Sequence, residues 1–240
     1  MYNKLPPSTL VQVSSFQAFM SGVYDGNTTL KQLQELGDFG LATLNGLDGE
    51  VLAFDGQFYQ VKGDGSVCLV PDNAKFPIAS VHFFHPDKIV KPKIPFQNYE
   101  HFQNYFNQLL PNRNRPYAFK ITGKFKYLKL RSVYKQGKPY LPLAEIIEKQ
   151  SIFELNDVTG TAVGYWLPYY LNKLVILGYH LHFISESRQQ GGHVSELSLL
   201  TATIAIDFID GIYFLIPKNT EFEKANLSAC NPIVNKTVLN

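Results

Sequence analysis

The chain of 240 residues is long enough for one large domain or two small ones, with a sizeable buried core. Hydrophobic residues make up 45% of it and charged residues 18%, and the net charge of +2 is too small to favour nucleic acid or an anionic membrane as a partner. No apolar run approaches the ~20 residues of a membrane helix, and the N-terminus lacks the apolar segment of a signal peptide. We therefore expect a cytoplasmic protein that spans no membrane.

The two cysteines, Cys68 and Cys230, are far apart and form no CxxC motif. A thiol redox motif and a cysteine zinc knuckle are thereby excluded. We expect free thiols in a reducing compartment, with a single disulfide as the alternative. The 18 phenylalanines and 14 tyrosines lie largely in alternating runs, which favours a β-rich protein.

The first half of the chain mixes short helices with strands. "TTLKQLQELG" predicts a short helix, because its leucines share one face, a threonine can cap its start and Gly37 can end it. "FGLATL", "EVLAFDG", "QFYQVKGDG" and "SVCLVP" predict strands, joined by tight turns at two Asp-Gly pairs. "NYEHFQNYFNQLL" has the strongest helical pattern in the chain.

The second half is dominated by strands. "PYAFKITGKFKYLKLRSVY" predicts strands, "LPLAEIIEKQ" predicts a short helix that starts at Pro142, and nearly all of residues 151–217 alternates as strands do. We expect a β-rich α+β fold with two mixed or antiparallel sheets or barrel-like halves. The proline-bearing stretch 134–142 suggests a boundary between an N-terminal β-rich α/β subdomain, 1–140, and a C-terminal β subdomain, 141–240.

Three of the six histidines lie within the stretch from His180 to His193. In the predicted strand "GYHLHF", His180 and His182 project from one face, because residues i and i+2 of a strand point the same way. A hairpin closing through "SESRQQ" would place His193 opposite His182. The adjacent "GG" pair permits the bulge or close backbone approach that such a hairpin needs.

Three histidines with an open position are the ligand set of a catalytic zinc ion, and imidazole also suits iron, nickel or copper. The pattern therefore predicts a metal site on a β-hairpin. The remaining histidines, His82, His85 and His101, lack a context that makes them converge, and we expect structural roles for them. Cupins also carry an HxH pair followed by a glutamate, here Glu186, but their last histidine comes much further along the chain. A cupin-like oxygenase or isomerase is the second interpretation.

Several blocks resemble the α-acetolactate decarboxylase family. "GYHLHFIS" followed by "GGHV" is similar to its metal segment, and "FMSGVYDG" with "LGDFGLATLNGLDGEVLAFDGQFYQVKGDG" to its N-terminal signature. "LRSVYKQGKPYLPL", "VTGTAVGYWLPYYL" and "FLIPKNTEF" match later blocks in the same order. The resemblance spans about residues 16–222 and implies one zinc ion per chain, no organic cofactor and a homodimer.

The resemblance also implies site residues, which are zinc ligands His180, His182 and His193, catalytic Glu50 and Arg131, and substrate-binding Thr43. The family usually has a second active-site glutamate near the C-terminus, which the tail after Glu223 lacks. Glu221 and Glu223 are poor substitutes for it.

The activity implied is zinc-dependent decarboxylation of 2-acetolactate to acetoin and carbon dioxide through a metal-stabilised enediolate. A Lewis acid suits the charge that develops, a guanidinium suits a carboxylate, and a carboxylic acid can deliver a proton. Because of the missing second glutamate, a catalytically silent relative that binds metal is a further alternative.

Overall fold

The computed structural model describes residues 5–228. Its strands are β1 Thr9–Val13, β2 Thr28–Thr29, β3 Phe39–Leu44, β4 Asp48–Phe54, β5 Gln57–Val61, β6 Val67–Leu69, β7 Lys75–Phe76, β8 Ile78–His82, β9 Lys88–Val90, β10 Tyr117–Ser132, β11 Ser151–Leu167, β12 Gly178–Ser185, β13 Gly191–Phe208 and β14 Gly211–Leu215. Its α-helices are α1 Phe16–Met20, α2 Leu30–Gln34, α3 Tyr99–Leu109, α4 Leu143–Ile147 and α5 Thr220–Lys224, and a 3-10 helix spans Tyr169–Leu171.

Two large sheets dominate the fold. The first has seven strands in the order β14-β1-β8-β3-β4-β5-β6, all antiparallel neighbours except the parallel pair β1 and β14. The second has the order β10-β11-β12-β13-β9, and β10 also pairs with β13. Strands β10 to β13 therefore form a closed ring of pairings, and the predicted β-rich α+β class with mixed sheets and a barrel-like half is confirmed.

Both sheets draw strands from both sides of residue 140. Strand β14 lies in the first sheet, while β9 and β10 lie in the second. Sheet membership thus crosses the suggested boundary in both directions, and the division into 1–140 and 141–240 stays a prediction.

The two sheets pack against each other through a shared apolar layer. Leu41, Leu52 and Val61 of the first sheet meet Val163 and Ile184 of the second, all nearly or fully buried. Burial of such side chains is the main favourable term in folding. The layer fixes the relative placement of the two sheets, between which the candidate site lies.

The predicted helices are present, and they begin at or near the residues expected from the sequence. Helix α2 begins after Thr29, whose side chain forms a capping box with Gln32. Helix α3 begins after Asn98 and buries Phe102 and Phe106 against the second sheet. Helix α4 follows Pro142, as expected.

Several short elements were not predicted. Strands β1 and β8 are buried on both faces in the middle of the first sheet, so they lack the alternation of a half-exposed strand. Helices α1 and α5, of five residues each, were also not predicted.

No helix among the described residues is long and apolar enough to cross a membrane. Cys68 is a free thiol, whereas Cys230 lies outside the described residues.

The pairing of β11 with β12 depends on Gly164. A Cβ atom at this position would collide with the carbonyl oxygen of His180 on the neighbouring strand. We expect Gly164→Ala to force the strands apart and to lower the free energy of unfolding by about 2 kcal/mol, as overpacking does. Gly137 has open space around the same position, so Gly137→Ala should change stability by less than about 0.5 kcal/mol. Urea unfolding of both variants measures the difference, and equal stabilities would contradict the prediction.

Candidate metal centre

The hairpin of β12 and β13 brings the three clustered histidines together. Its register pairs His182 with His193, as predicted from the sequence, and His180 lies two residues earlier on the same face. Gly191 allows the close approach of the two strands, because a Cβ there would meet the carbonyl oxygen of Phe183. One ring nitrogen of each of the three histidines lies within 4.8 Å of those of the other two.

The protonation pattern of His182 is set by the first sheet. Its Nδ1 lies 3.0 Å from the carbonyl oxygen of Val51 on β4, and since a carbonyl can only accept, Nδ1 carries the proton. Nε2 is therefore a bare lone pair that faces Nε2 of His180 at 3.1 Å. The two Nε2 atoms attract each other when His180 carries a proton on Nε2, or when both atoms bind the same cation. Fixing one ring nitrogen by a carbonyl is a recurrent feature of metal-binding histidines.

Burial keeps all three imidazoles neutral. It lowers the pKa of His182 to about 3, with Arg131 adding to the shift and the hydrogen bond to Val51 opposing it. The pKa values of His180 and His193 lie well below the usual range, chiefly through burial and further through Arg131 and the neighbouring imidazoles. Neutral imidazoles have free lone pairs, which metal binding requires.

Glu50 enters the site from the first sheet. It lies on β4, and its Oε2 is 3.4 Å from Nε2 of His182. Burial raises the pKa of Glu50 to about 7, and Arg131 opposes this rise. Thr43 on β3 donates from Oγ1 to the carbonyl oxygen of Gly49 at 2.6 Å, directly beside Glu50 in the chain.

Arg131 lies on β10 opposite His193 and is 6% exposed. Its guanidinium approaches Nε2 of His193 to 2.9 Å, where it acts as the donor. Burial lowers the pKa of Arg131 and Glu50 opposes this, but a guanidinium stays charged at neutral pH. The neighbouring lysines of β10 point outward, as with Lys129, which pairs with Glu196.

All these groups line one cavity of about 820 Å³, including its open mouth. Much of the remaining wall is apolar and comes from helices α1 and α4, with Phe16, Phe19, Leu143 and Ile147. Gln12, Ser80 and Tyr165 are polar wall residues that were not predicted. No sequence signal pointed to them, because each lies in a strand without a motif that would connect it to the histidines.

The donor set suits a divalent transition-metal ion. It consists of three neutral imidazoles, a carboxyl group beside them and no sulfur, which fits zinc as well as iron, nickel or copper. The three ligand positions come from one rigid hairpin, so they need little rearrangement to close around an ion.

The other histidines lie outside this cluster. His82 is fully buried between the sheets, His85 is exposed, and His101 lies on α3. Glu186, the glutamate of the cupin-like interpretation, is exposed in the turn of the hairpin. Glu221 pairs with Lys138 away from the cavity, and the tail from residue 229 onward lies outside the described residues.

A cleft between two sheets that combines three imidazoles, a carboxyl group and a guanidinium is typical of metal-dependent enzymes. Comparison with known proteins defines the family. Residues 10–229 match the family model of alpha-acetolactate decarboxylase. The chain is 40% identical to the alpha-acetolactate decarboxylase of Bacillus subtilis strain 168, over 92% of this chain and 87% of that protein. It is also 40% identical to that of Methanosarcina mazei, over 91% and 75%.

The fold agrees with the sequence match. The crystal structure of alpha-acetolactate decarboxylase from Bacillus subtilis strain 168 superposes with a TM-score of 0.91 at 39% identity, over 96% of this chain and 97% of that one. The chain belongs to the alpha-acetolactate decarboxylase family. It is therefore an enzyme of the carboxy-lyase class, and the expected resemblance is confirmed.

Removal of one histidine tests the metal centre. We expect His182→Ala to weaken binding of a divalent ion such as zinc at least about a hundredfold, more than the loss of a supporting contact usually does. His101→Ala, outside the cluster, should bind like the parent. Metal content after dialysis and titration against a chelator measure both, and full occupancy in His182→Ala would contradict the three-histidine site.

Proposed function

We propose that this protein decarboxylates 2-acetolactate to acetoin and carbon dioxide with one zinc ion held by His180, His182 and His193. The observation that carries the proposal is that the three histidines, Glu50 and Arg131 line the same cavity, although they come from strands of two different sheets. The substrate is inferred from membership of the alpha-acetolactate decarboxylase family.

The reaction needs a site that accepts negative charge and then delivers a proton. Breaking the bond between C2 and the carboxylate releases carbon dioxide and leaves an electron pair that moves toward the neighbouring ketone. A zinc ion, when bound, supplies Lewis acidity toward the ketone and hydroxyl oxygens. No organic cofactor is required for this chemistry.

Arg131 is placed to hold the substrate carboxylate or the charge that develops. Its guanidinium offers planar donors of fixed geometry, and burial strengthens each contact because little water competes. Pairing with His193 across the strands orients the group toward the cluster. The role assigned to Arg131 is thus binding and charge stabilisation.

Glu50 is placed to deliver the proton that C2 requires after carbon dioxide leaves. Its carboxyl group reaches the cluster from the opposite sheet, so it can face a substrate that is held beside the histidines. A proton delivered from one side gives one enantiomer of acetoin. Thr43 supports this arrangement through its hydrogen bond to Gly49 and also lines the cavity as a substrate contact.

The proposal further includes a cytoplasmic homodimer that binds neither nucleic acid nor membrane. The family resemblance supports the dimer, and the net charge of +2 supports the absence of a polyanionic partner. Light scattering of the purified protein measures the mass directly.

A single assay separates the proposed function from its alternatives. The parent protein should form acetoin and carbon dioxide in equal amounts from acetolactate, with one zinc ion per chain. Metal binding without acetoin formation would identify a silent relative. Oxygen consumption by an iron-loaded protein would favour an oxygenase, as the cupin-like interpretation requires.

Substituting Arg131 tests charge stabilisation. Arg131→Lys keeps the charge but loses the planar fork, so we expect kcat to fall about ten- to a thousandfold while zinc is retained. Metal analysis alongside steady-state kinetics makes the distinction. A turnover close to that of the parent would remove Arg131 from the proposed machinery.

Substituting Glu50 tests proton delivery. Glu50→Gln keeps the size but cannot transfer the proton, so acetoin formation should slow by about 10²- to 10⁴-fold. Carbon dioxide release and the chirality of acetoin are followed separately, because slow delivery should allow solvent to protonate either face. A variant with parental rate and chirality would show that the proton comes from elsewhere.

A further inference from the structure

A chain of polar side chains lies buried between the two sheets, beside the cavity but outside the proposed machinery. His82 is fully buried, and Asp207 and Tyr165 are each 1% exposed. Nδ1 of His82 lies 3.0 Å from the hydroxyl of Tyr165, and its Nε2 lies 3.3 Å from Oδ2 of Asp207. Ionisable groups are rarely buried so completely without a partner or a role.

The hydrogen bonds of Tyr165 give this chain a direction. The hydroxyl lies near the carbonyl oxygens of Ser80 at 3.2 Å and Phe39 at 3.5 Å, which can only accept its single proton. It can then accept from Nδ1–H of His82. The other ring nitrogen faces a carboxylate oxygen of Asp207, so both ring nitrogens have oxygen neighbours.

Some polar atoms of Asp207 and His82 lack hydrogen-bond partners among the described residues. A purely stabilising role is therefore a poor explanation for these side chains. Oδ2 of Asp207 accepts from the backbone N–H of His85 at 2.6 Å, but Oδ1 of Asp207 has no hydrogen-bond partner among the described residues. Within residues 5–228, Nε2 of His82 also lacks a hydrogen bond of good geometry. A buried polar atom without a hydrogen-bond partner costs stability. A specific structural task would account for them better.

The positions of His82, Tyr165 and Asp207 in the two sheets indicate their structural role. His82 lies on β8 of the first sheet, whereas Tyr165 on β11 and Asp207 on β13 belong to the second sheet. The polar contacts therefore tie one sheet to the other. Rings of Phe39 and Phe84 surround His82 edge-on, so little water can substitute for a lost contact.

The Tyr165 end of this group of side chains also reaches the cavity wall. Tyr165 lines the cavity and pairs in register with His180 on β12. Ser80, whose carbonyl oxygen accepts from Tyr165, also lines the cavity, and its hydroxyl donates to Oε1 of Gln12 at 2.5 Å. A shift of Tyr165 would move the wall beside His180.

The geometry points to a positioning role for the Asp207–His82–Tyr165 chain: it fixes the two sheets, and with them His180 and Glu50, at the separation that the reaction needs. The inference rests on the proposed function, because Glu50 comes from the first sheet and the three histidines from the second. Misplacement of reacting groups by about 1 Å can cost a hundredfold in rate without loss of binding. All three histidines share one sheet. Metal content should therefore survive when a substitution removes one of the Asp207–His82–Tyr165 contacts.

The test uses Tyr165→Phe, which removes one buried oxygen and keeps the ring, together with His82→Phe. Both variants should lower kcat about tenfold or more, with KM within about twofold of the parent and with unchanged metal content. The double variant should be no slower than the slower single variant, because both substitutions interrupt the same set of side-chain contacts. If His82→Phe fails to fold, the milder Tyr165→Phe decides alone.

Tyr117→Phe is the matched control. Tyr117 is fully buried in the same sheet, and its hydroxyl donates to the carbonyl oxygen of Asn112 at 2.7 Å, away from the cavity. This variant should lose stability but keep the parental kcat. Equal losses of kcat in Tyr117→Phe and Tyr165→Phe, or loss of metal from Tyr165→Phe, would assign the chain to general stability and overturn the inference.

A second readout is independent of catalysis. The visible absorption bands of the cobalt-substituted protein depend on ligand geometry, so Tyr165→Phe should shift them while Tyr117→Phe leaves them unchanged. If the parent forms no acetoin but the bands shift as expected, the proposed function fails and the positioning role stands. Parental kcat together with unaltered bands in Tyr165→Phe would overturn the positioning role alone.

Discussion

The hydrogen bond between Nδ1 of His182 and the carbonyl oxygen of Val51 joins the two halves of the site. It crosses from the second sheet to the first, fixes the proton on one ring nitrogen and leaves the other free to face the cluster. Val51 follows Glu50 directly, so the same contact that sets the tautomer also sets where the carboxyl group enters. The metal centre and the proposed proton donor therefore share one anchor.

The electrostatics of the cavity follow from this arrangement. Three imidazoles kept neutral by burial contribute no charge, and Arg131 and Glu50 are ionisable side chains in contact with them. Each opposes the effect of burial on the pKa of the other. The apolar walls from α1 and α4 keep such interactions strong, because a low local dielectric strengthens charge effects.

How much of this could be read from the sequence depended on distance along the chain. The histidine hairpin was predictable because strand alternation and turn residues act over a few neighbours, and its register was confirmed. Glu50 and Arg131 lie 130 and 49 positions before His180, and only the family resemblance connected them to it. His82 was expected to be structural, but its partners Tyr165 and Asp207 are brought to it by the packing of the two sheets, which no local pattern encodes.

The closeness of the three histidines in sequence has a consequence for how the protein assembles. The entropy of closing a loop grows with its length, and the turn between β12 and β13 is among the short connections of the chain. Arg131 joins only when β10 has paired with β13, and Glu50 only when the first sheet packs against the second. Both steps bring together residues distant in sequence, which is intrinsically slower. The residues that would hold an ion thus lie on a hairpin of neighbouring strands. The residues proposed to act on the substrate depend on contacts between distant parts of the sequence. A nascent or partly unfolded chain would acquire the first before the second.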